Sequence, residues 1–216
     1  MFLLYSSDFR KIFKEIESLM KENKDYLCKL DGALGDGDIG VTMCTGFYHI
    51  NIALEATPIN DIGELFIKSG FVISDKAPST MGTLLGSGFL NAGANMRGVT
   101  EIDLEGLFQL FSHVSEGIIK RGKAKLGDKT ILDSLIPAIK VLEVGSESSS
   151  KMNLKEGITK AYRAAEEGMK NTIDMKSSKG RGARYLENSK GKQDPGATVC
   201  KLIFEGFCRY INNVED

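Results

Sequence analysis

Apolar residues recur every three or four positions along most of this chain, and no stretch shows a convincing alternation of apolar and polar positions. That period belongs to helices burying one face, so the pattern confines the chain to an all-α architecture. Eight segments carry it. The first holds Phe9, Ile12, Phe13, Ile16, Leu19 and Met20 among charges, with Ser7 or Asp8 placed to cap it. The second, about 41 to 56, is apolar around most of its circumference apart from Thr42, Thr45 and His49, which suits a central position. Pro58 closes it, Asp61 opens a third segment reaching Lys76, and Pro78 stops that one.

The fourth segment, 79 to 96, is rich in small residues. Gly82, Gly86, Gly88 and Gly93 each cost a helix about 1 kcal/mol against alanine unless close approach explains them. Either small residues let helices pack tightly, or Ser79 to Gly82 leaves free N–H groups for an anion at a helix start. The fifth places Leu104, Leu107, Phe108, Phe111, Val114 and Ile118 on one side and His113 nearly opposite, at the surface. A basic turn runs from Arg121 to Thr130. Asp128 can cap the sixth segment, where Pro137 should introduce a kink. After a polar connection at 146 to 150, the seventh segment reaches from Leu154 to about Met175, with an alanine-rich face and many charges suited to an outer position. Asp194 and Pro195 open the eighth, which ends near Asn213.

One loop stands out chemically. Leu30 to Gly40 places Asp31, Asp36 and Asp38 within eight residues, separated by glycines. Carboxylates so confined repel by about 1 kcal/mol per pair at ~4 Å in water and by about 4 at an effective dielectric of 20. A divalent cation relieves that, and hard oxygen ligands without nearby His or Cys suit Mg2+, Ca2+ or Mn2+ rather than zinc. Gly35, Gly37 and Gly40 spell the glycine pattern of dinucleotide sites, but a helix, not a strand, precedes them. An EF-hand loop starting at Asp36 would need glycine and glutamate where Val41 and Phe47 stand. A solvated acidic turn remains the plain alternative.

The long segment from Lys176 to Lys192 has six basic residues against one acid in a setting rich in glycine and serine. Such a loop is either a mobile surface element or a functional flap, and its arginines can grip phosphate bidentately.

Of the 216 residues 42% are hydrophobic and 26% charged, with a net charge of -1. These values describe an ordinary globular chain, expected as one domain over residues 1 to 216, and imply no nucleic-acid partner. The start lacks the basic region and cleavage site of a signal peptide, and no apolar run nears the roughly 18 residues of a membrane span. A cytoplasmic location without membrane partner is expected. Cys28, Cys44, Cys200 and Cys208 show no CxxC spacing, so unpaired thiols are expected.

In an up-and-down bundle alternate connections lie at the same end. The loops after segments one, three, five and seven then cluster: the Asp loop, the Pro78 turn, the basic turn before Asp128 and the basic flap. Every stretch marked as chemically suggestive falls at that end. This ordering favours a metal site over a plain acidic turn, because a cation, basic groups and free N–H donors together suit a bound polyphosphate.

Leu30-Asp31, Gly35-Asp-Gly-Asp38 with Gly40, Arg121-Gly-Lys-Ala, Gly127-Asp-Lys-Thr130, Pro137, Lys179-Gly-Arg181 and Gln193-Asp-Pro-Gly-Ala-Thr198 occur in an order and spacing that resembles the nucleotide-binding L subunit of dihydroxyacetone kinase. The resemblance spans about residues 7 to 213. It implies an eight-helix antiparallel barrel with ligand loops at one end, in which three aspartates hold two Mg2+ ions on the phosphates of ADP or ATP. In the branch that depends on the bacterial phosphotransferase system, it implies that ADP stays bound and a phosphocarrier protein rephosphorylates it. The γ-phosphoryl then passes to dihydroxyacetone on a separate K-type subunit.

Carried onto this chain, the resemblance makes Asp31, Asp36 and Asp38 metal ligands and, with Arg181, the catalytic set. It places Ile39, Gly40, Val41, Thr42, Thr80, Met81, Gly82, Gly122, Ile131, Arg181, Asp194, Pro195 and Gly196 at nucleotide contacts. The chain departs from the family pattern at Ile39, Thr42 and Met81, where histidine, asparagine and serine are common. Other readings are an ATP-dependent kinase subunit for another short ketose or polyol, and a nucleotide- or metal-binding regulator. A homodimer is compatible with each.

Overall fold

The computed structural model describes residues 2–147 and 152–214, and for Arg181, Arg184, Tyr185 and Leu186 the backbone alone. The described residues form nine α-helices: α1 Ser6–Glu22, α2 Lys24–Gly32, α3 Ile39–Glu55, α4 Ile62–Lys76, α5 Thr80–Asn95, α6 Leu104–Gly122, α7 Leu132–Ser146, α8 Leu154–Asn171 and α9 Pro195–Asn213. The ninth arises because the first expected helix divides at Asn23. Its side-chain amide donates to the Leu19 carbonyl at 2.9 Å, competing with continuation of the helix. Two short 3-10 turns, Thr172–Asp174 and Arg181–Ser189, lie between α8 and α9. The seventh expected helix therefore ends earlier than Met175.

A minimal sheet was not expected from the pattern. Strand β1, Leu4–Tyr5, pairs antiparallel with β2, Glu101–Ile102, with Leu4 opposite Ile102. Two residues are too few to produce a readable alternation, and the Leu4 and Ile102 side chains are buried in the helical core.

Long helices pack against their sequence neighbours, and α1 lies against both α3 and α9, so the order α1, α3, α4, α5, α6, α7, α8, α9 returns on itself. Helix α2 stands outside that ring, against α3 and α9. The enclosed space is a filled core. Phe9 meets Phe66 and Phe207 edge-on, while Phe111 stacks on Phe204 at 4.5 Å between centroids.

The apolar helix α3 belongs to the ring and not to the centre. Val41, Tyr48 and Ile52 are between 45% and 47% exposed on its outer side, because the aromatic side chains already occupy the middle. In α5 the small residues serve close packing: a Cβ at Gly93 would stand 2.5 Å from the Gly63 carbonyl oxygen, and one at Gly86 2.9 Å from that of Gly70. Proline at 137 lies inside an uninterrupted α7. The carbonyl of Asp133, deprived of its helical donor by that proline, lies against Gly168 of α8. The expected polar connection at 146 to 150 lies largely outside the described residues.

Candidate functional site

Four connections meet at one end of the ring. Lys192 of the basic loop donates to the Ala33 carbonyl of the Asp loop at 3.1 Å, and Gln193 to the Tyr26 hydroxyl of α2 at 3.2 Å. Ser178 donates its amide to the Asp128 carbonyl at 3.2 Å and its hydroxyl to the Asp128 carboxylate at 2.7 Å, joining the basic loop to the turn between α6 and α7. A Cβ on Gly196, in the first turn of α9, would stand 2.7 Å from Met81 Cε and 3.3 Å from the Ile131 amide nitrogen. The fourth connection, before α5, thus closes the circle through Met81.

The Asp loop is shaped by Asp31. One carboxylate oxygen of this residue accepts the amides of Asp38 at 3.0 Å and Ile39 at 3.3 Å, folding the loop back onto the start of α3. Gly37 sits at φ 75°, where a side chain would be strained. Gly40 packs so closely on the Lys24 carbonyl and Cys28 that no Cβ fits. The outcome is a cluster in which Asp31, Asp36 and Asp38 each offer a carboxylate oxygen, all within 4.8 Å of one another. Asp36 and Asp38 are exposed and Asp31 half-buried. Three oxygen donors from carboxylates open to solvent fit a hard divalent cation such as Mg2+, which keeps waters and shares phosphate oxygens.

The first turn of α3 holds Ile39, Gly40, Val41 and Thr42 beside this cluster. Ile39 and Gly40 are buried, Thr42 half-buried and Val41 exposed. At the start of α5, Ser79 accepts the Gly82 amide at 3.0 Å. The amides of Thr80 and Met81 have no acceptor within their own helix, as in any first turn. Gly122 ends α6 against Leu84. Asp194 caps α9 by accepting the Ala197 amide at 2.7 Å, with Pro195 in the first helical position. Burial pushes the Asp194 carboxyl up to about 7, against the lowering effect of the Ala197 amide. Arg181 has its backbone in the turn of the basic loop, and its side chain lies outside the described residues.

Asp128, expected to cap the sixth helical segment, does not cap α7, which starts four residues further on. Its carboxylate accepts the Ser178 hydroxyl and the Lys125 amide, which hold its pKa below the usual carboxylate range. The buried Asp133 organises this turn, accepting the Gly127 amide at 2.6 Å and the Thr130 amide at 2.7 Å. The Thr130-x-x-Asp133 spacing is a capping signal that the sequence reading passed over. Lys129 was passed over too. It is buried, with its ammonium on three carbonyls of the basic loop, and no periodic pattern marks such a lysine. Beside the turn an open cleft of about 550 Å³ is lined by Lys120, Lys123, Lys125 and Lys179 among others. His49 and His113 stand within α3 and α6, with His113 beside Glu116 at 3.1 Å.

Residues 33–209 match the family model described as the DAK2 domain. The chain belongs to the DAK2 domain family. It is 32% identical over 194 residues to the "PEP-dependent dihydroxyacetone kinase 2, ADP-binding subunit DhaL" of Listeria innocua, covering 89% of this chain and 88% of that one. To the ADP-binding subunit DhaL of the PEP-dependent dihydroxyacetone kinase of Escherichia coli it is 33% identical, covering 87% and 88% respectively. The fold is that of part of the dihydroxyacetone kinase of C. freundii, a structure in complex with AMP-PNP and Mg2+. There the TM-score is 0.72 at 21% identity, with 97% of this chain and 35% of that chain covered. No described helix of this DAK2 chain is long and apolar enough to cross a membrane.

Proposed function

We propose that this chain, as one unit over residues 1 to 216, is the ADP/ATP-binding subunit of a phosphotransferase acting on dihydroxyacetone or a related short ketose. The observation that carries this reading is the triad of carboxylates within 4.8 Å, set beside two helix starts and a basic loop. Its relatives' names supply the nucleotide and the acceptor. Asp31, Asp36 and Asp38 would hold Mg2+, two ions by family resemblance. Bound there, Mg2+ offsets charge on the phosphates and on the phosphoryl in flight.

The rest of the work belongs to the chain's own groups. Amides at the starts of α3 and α5, those of Gly40, Val41, Thr80 and Met81, donate to phosphate oxygens. Gly82 seats the start of α5 against the Ala77 carbonyl, where no Cβ fits, Thr42 stands in the first turn of α3, and Gly122, Ile131, Pro195 and Gly196 wall the base and ribose. Asp194 keeps α9 in place, and Arg181 comes down from the loop onto phosphate. This chain supplies the nucleotide half of the reaction. A K-type subunit holds the acceptor hydroxyl in line, and a phosphocarrier protein of the phosphotransferase system recharges bound ADP. Both meet the same end of the ring, in the cytoplasm.

The test is calorimetry of ADP binding with Mg2+ and with chelator, on the native chain and on Asp36→Asn. Tight binding that needs Mg2+ and falls at least about tenfold in the variant is expected. Equal binding in all four samples would reduce the triad to an acidic turn.

A further inference from the structure

Both feet of the basic loop converge on a single side chain. Lys129 adopts φ 60°, in the left-handed region uncommon for a lysine, and is only 2% exposed. Its ammonium donates to the carbonyls of Met175 at 3.1 Å, Ser189 at 2.5 Å and Lys192 at 2.6 Å. The first acceptor lies where the loop leaves α8, and the other two lie where it returns to α9. Three donors meet three acceptors, so the cation is satisfied without a carboxylate in its shell. An uncharged side chain at 129 would leave three carbonyl dipoles with their negative ends converging in a buried space.

Neighbouring bonds close the same feet. The Ser177 amide donates to Ser189 Oγ at 2.8 Å and the Gly191 amide to the Ile173 carbonyl at 2.7 Å. Next to Lys129 in the chain, Asp128 holds Ser178, and on its other side Thr130 leads into Ile131, which faces Gly196. The backbone that carries the ammonium is therefore the backbone that walls the site.

We propose that Lys129 is a positioning residue, whose buried ammonium pins both feet of the basic loop and registers it to the Ile131 wall, so that only residues 179 to 188 move when nucleotide enters. The proposal rests on the reading that this loop closes over a nucleotide. Lys129 touches neither nucleotide nor metal; it acts through the loop.

The experiment compares the full chain with Lys129→Met and Lys129→Ala, each first checked for native helical content. Both variants should lose the protection from proteolysis that Mg-ADP confers on residues 179 to 188. Their dissociation constant for Mg-ADP should rise about tenfold. Three backbone carbonyls are also the ligand set that replaces the hydration shell of a small monovalent cation. Ammonium or potassium ions should therefore restore part of the affinity of Lys129→Ala, while tetramethylammonium at equal ionic strength should not. Wild-type behaviour of both variants overturns the proposal, as does a loss that no cation or every cation restores alike, since either result reduces Lys129 to packing.

Hydrogen exchange on the unmodified chain can overturn the proposal even if the variants do not fold, because it reads whether the feet are fixed. The amides of Ser177 and Gly191 should exchange far more slowly than those of residues 180 to 187 without nucleotide, and hardly change when Mg-ADP is added. Equal rates at feet and tip overturn the pin. Because the feet are read without nucleotide, failure of Mg-ADP to bind the unmodified chain would refute the nucleotide reading separately.

Discussion

Asp194 caps α9 from within the meeting of four loops, and its carboxyl is held up at about 7 by burial. An unfolded aspartate titrates near 3.9, so the folded chain keeps a proton that the unfolded chain has released. Stability from that proton is fully present below about pH 4 and is lost as pH rises through 7. The span corresponds to stabilisation on the order of 4 kcal/mol. Asp194→Asn retains an oxygen to cap the Ala197 amide and removes the titration. In metal-free protein the variant should unfold at a higher denaturant concentration than the native chain at pH 8, with the difference vanishing near pH 4. Parallel pH profiles for the two chains would show that another group is responsible. In the folded chain burial pushes the Cys200 thiol up to about 12, so it stays protonated at pH 8 and does not contribute to the titration of the native state.

At the scale of elements, the position of the Asp31, Asp36 and Asp38 carboxylates depends on how α2 meets α3. Those helices touch where Gly40 lies on the Lys24 carbonyl and Cys28, an approach that leaves no space for a methyl group. Gly40→Ala must push the two helices apart, and overpacking of this kind costs about 1 to 3 kcal/mol. Because Asp31 sits in α2 and Asp38 immediately precedes α3, the same displacement opens the triad. Thermal melts and Mg2+ titration should therefore both register the substitution. Lower stability with unchanged Mg2+ affinity would show that the triad tolerates the shift. A control lies at Gly122, where the nearest atom to a new Cβ is the end of the flexible Leu84 side chain at 3.0 Å. Gly122→Ala should keep its stability and affect nucleotide binding alone.

Across the whole molecule, charge is unevenly shared. Residues 30–40, 120–129 and 176–196 hold eleven of the 28 basic residues but six of the 29 acidic ones, so the end that carries the site is basic while the remainder is acidic. That field draws polyanions towards the triad and should make nucleotide association faster at low salt. His49 and His113 lie within α3 and α6, outside the four loops of that end, so neither is placed to hold a small carbonyl acceptor there. Purified chain with Mg-ATP and dihydroxyacetone should give no turnover until a K-type subunit is added, as positioning of the acceptor contributes much of the rate. Sustained turnover by the isolated chain would overturn the subunit reading.

Much of this arrangement was legible in the residues. Helical class, most helix boundaries and the gathering of four loops at one end follow from periodicity, caps and the parity of short connections, which are local and repeat along the chain. The Asp31, Asp36 and Asp38 cluster was legible because one short loop holds all three. Tertiary structure alone decided that α3 lies in the ring, that Asn23 divides the first helix, and that Lys129 is buried. Each of these depends on a partner far along the chain or on competition between a side chain and the backbone. A lysine looks the same in a sequence whether it meets water or, as at 129, three carbonyls brought in from 46 to 63 residues away.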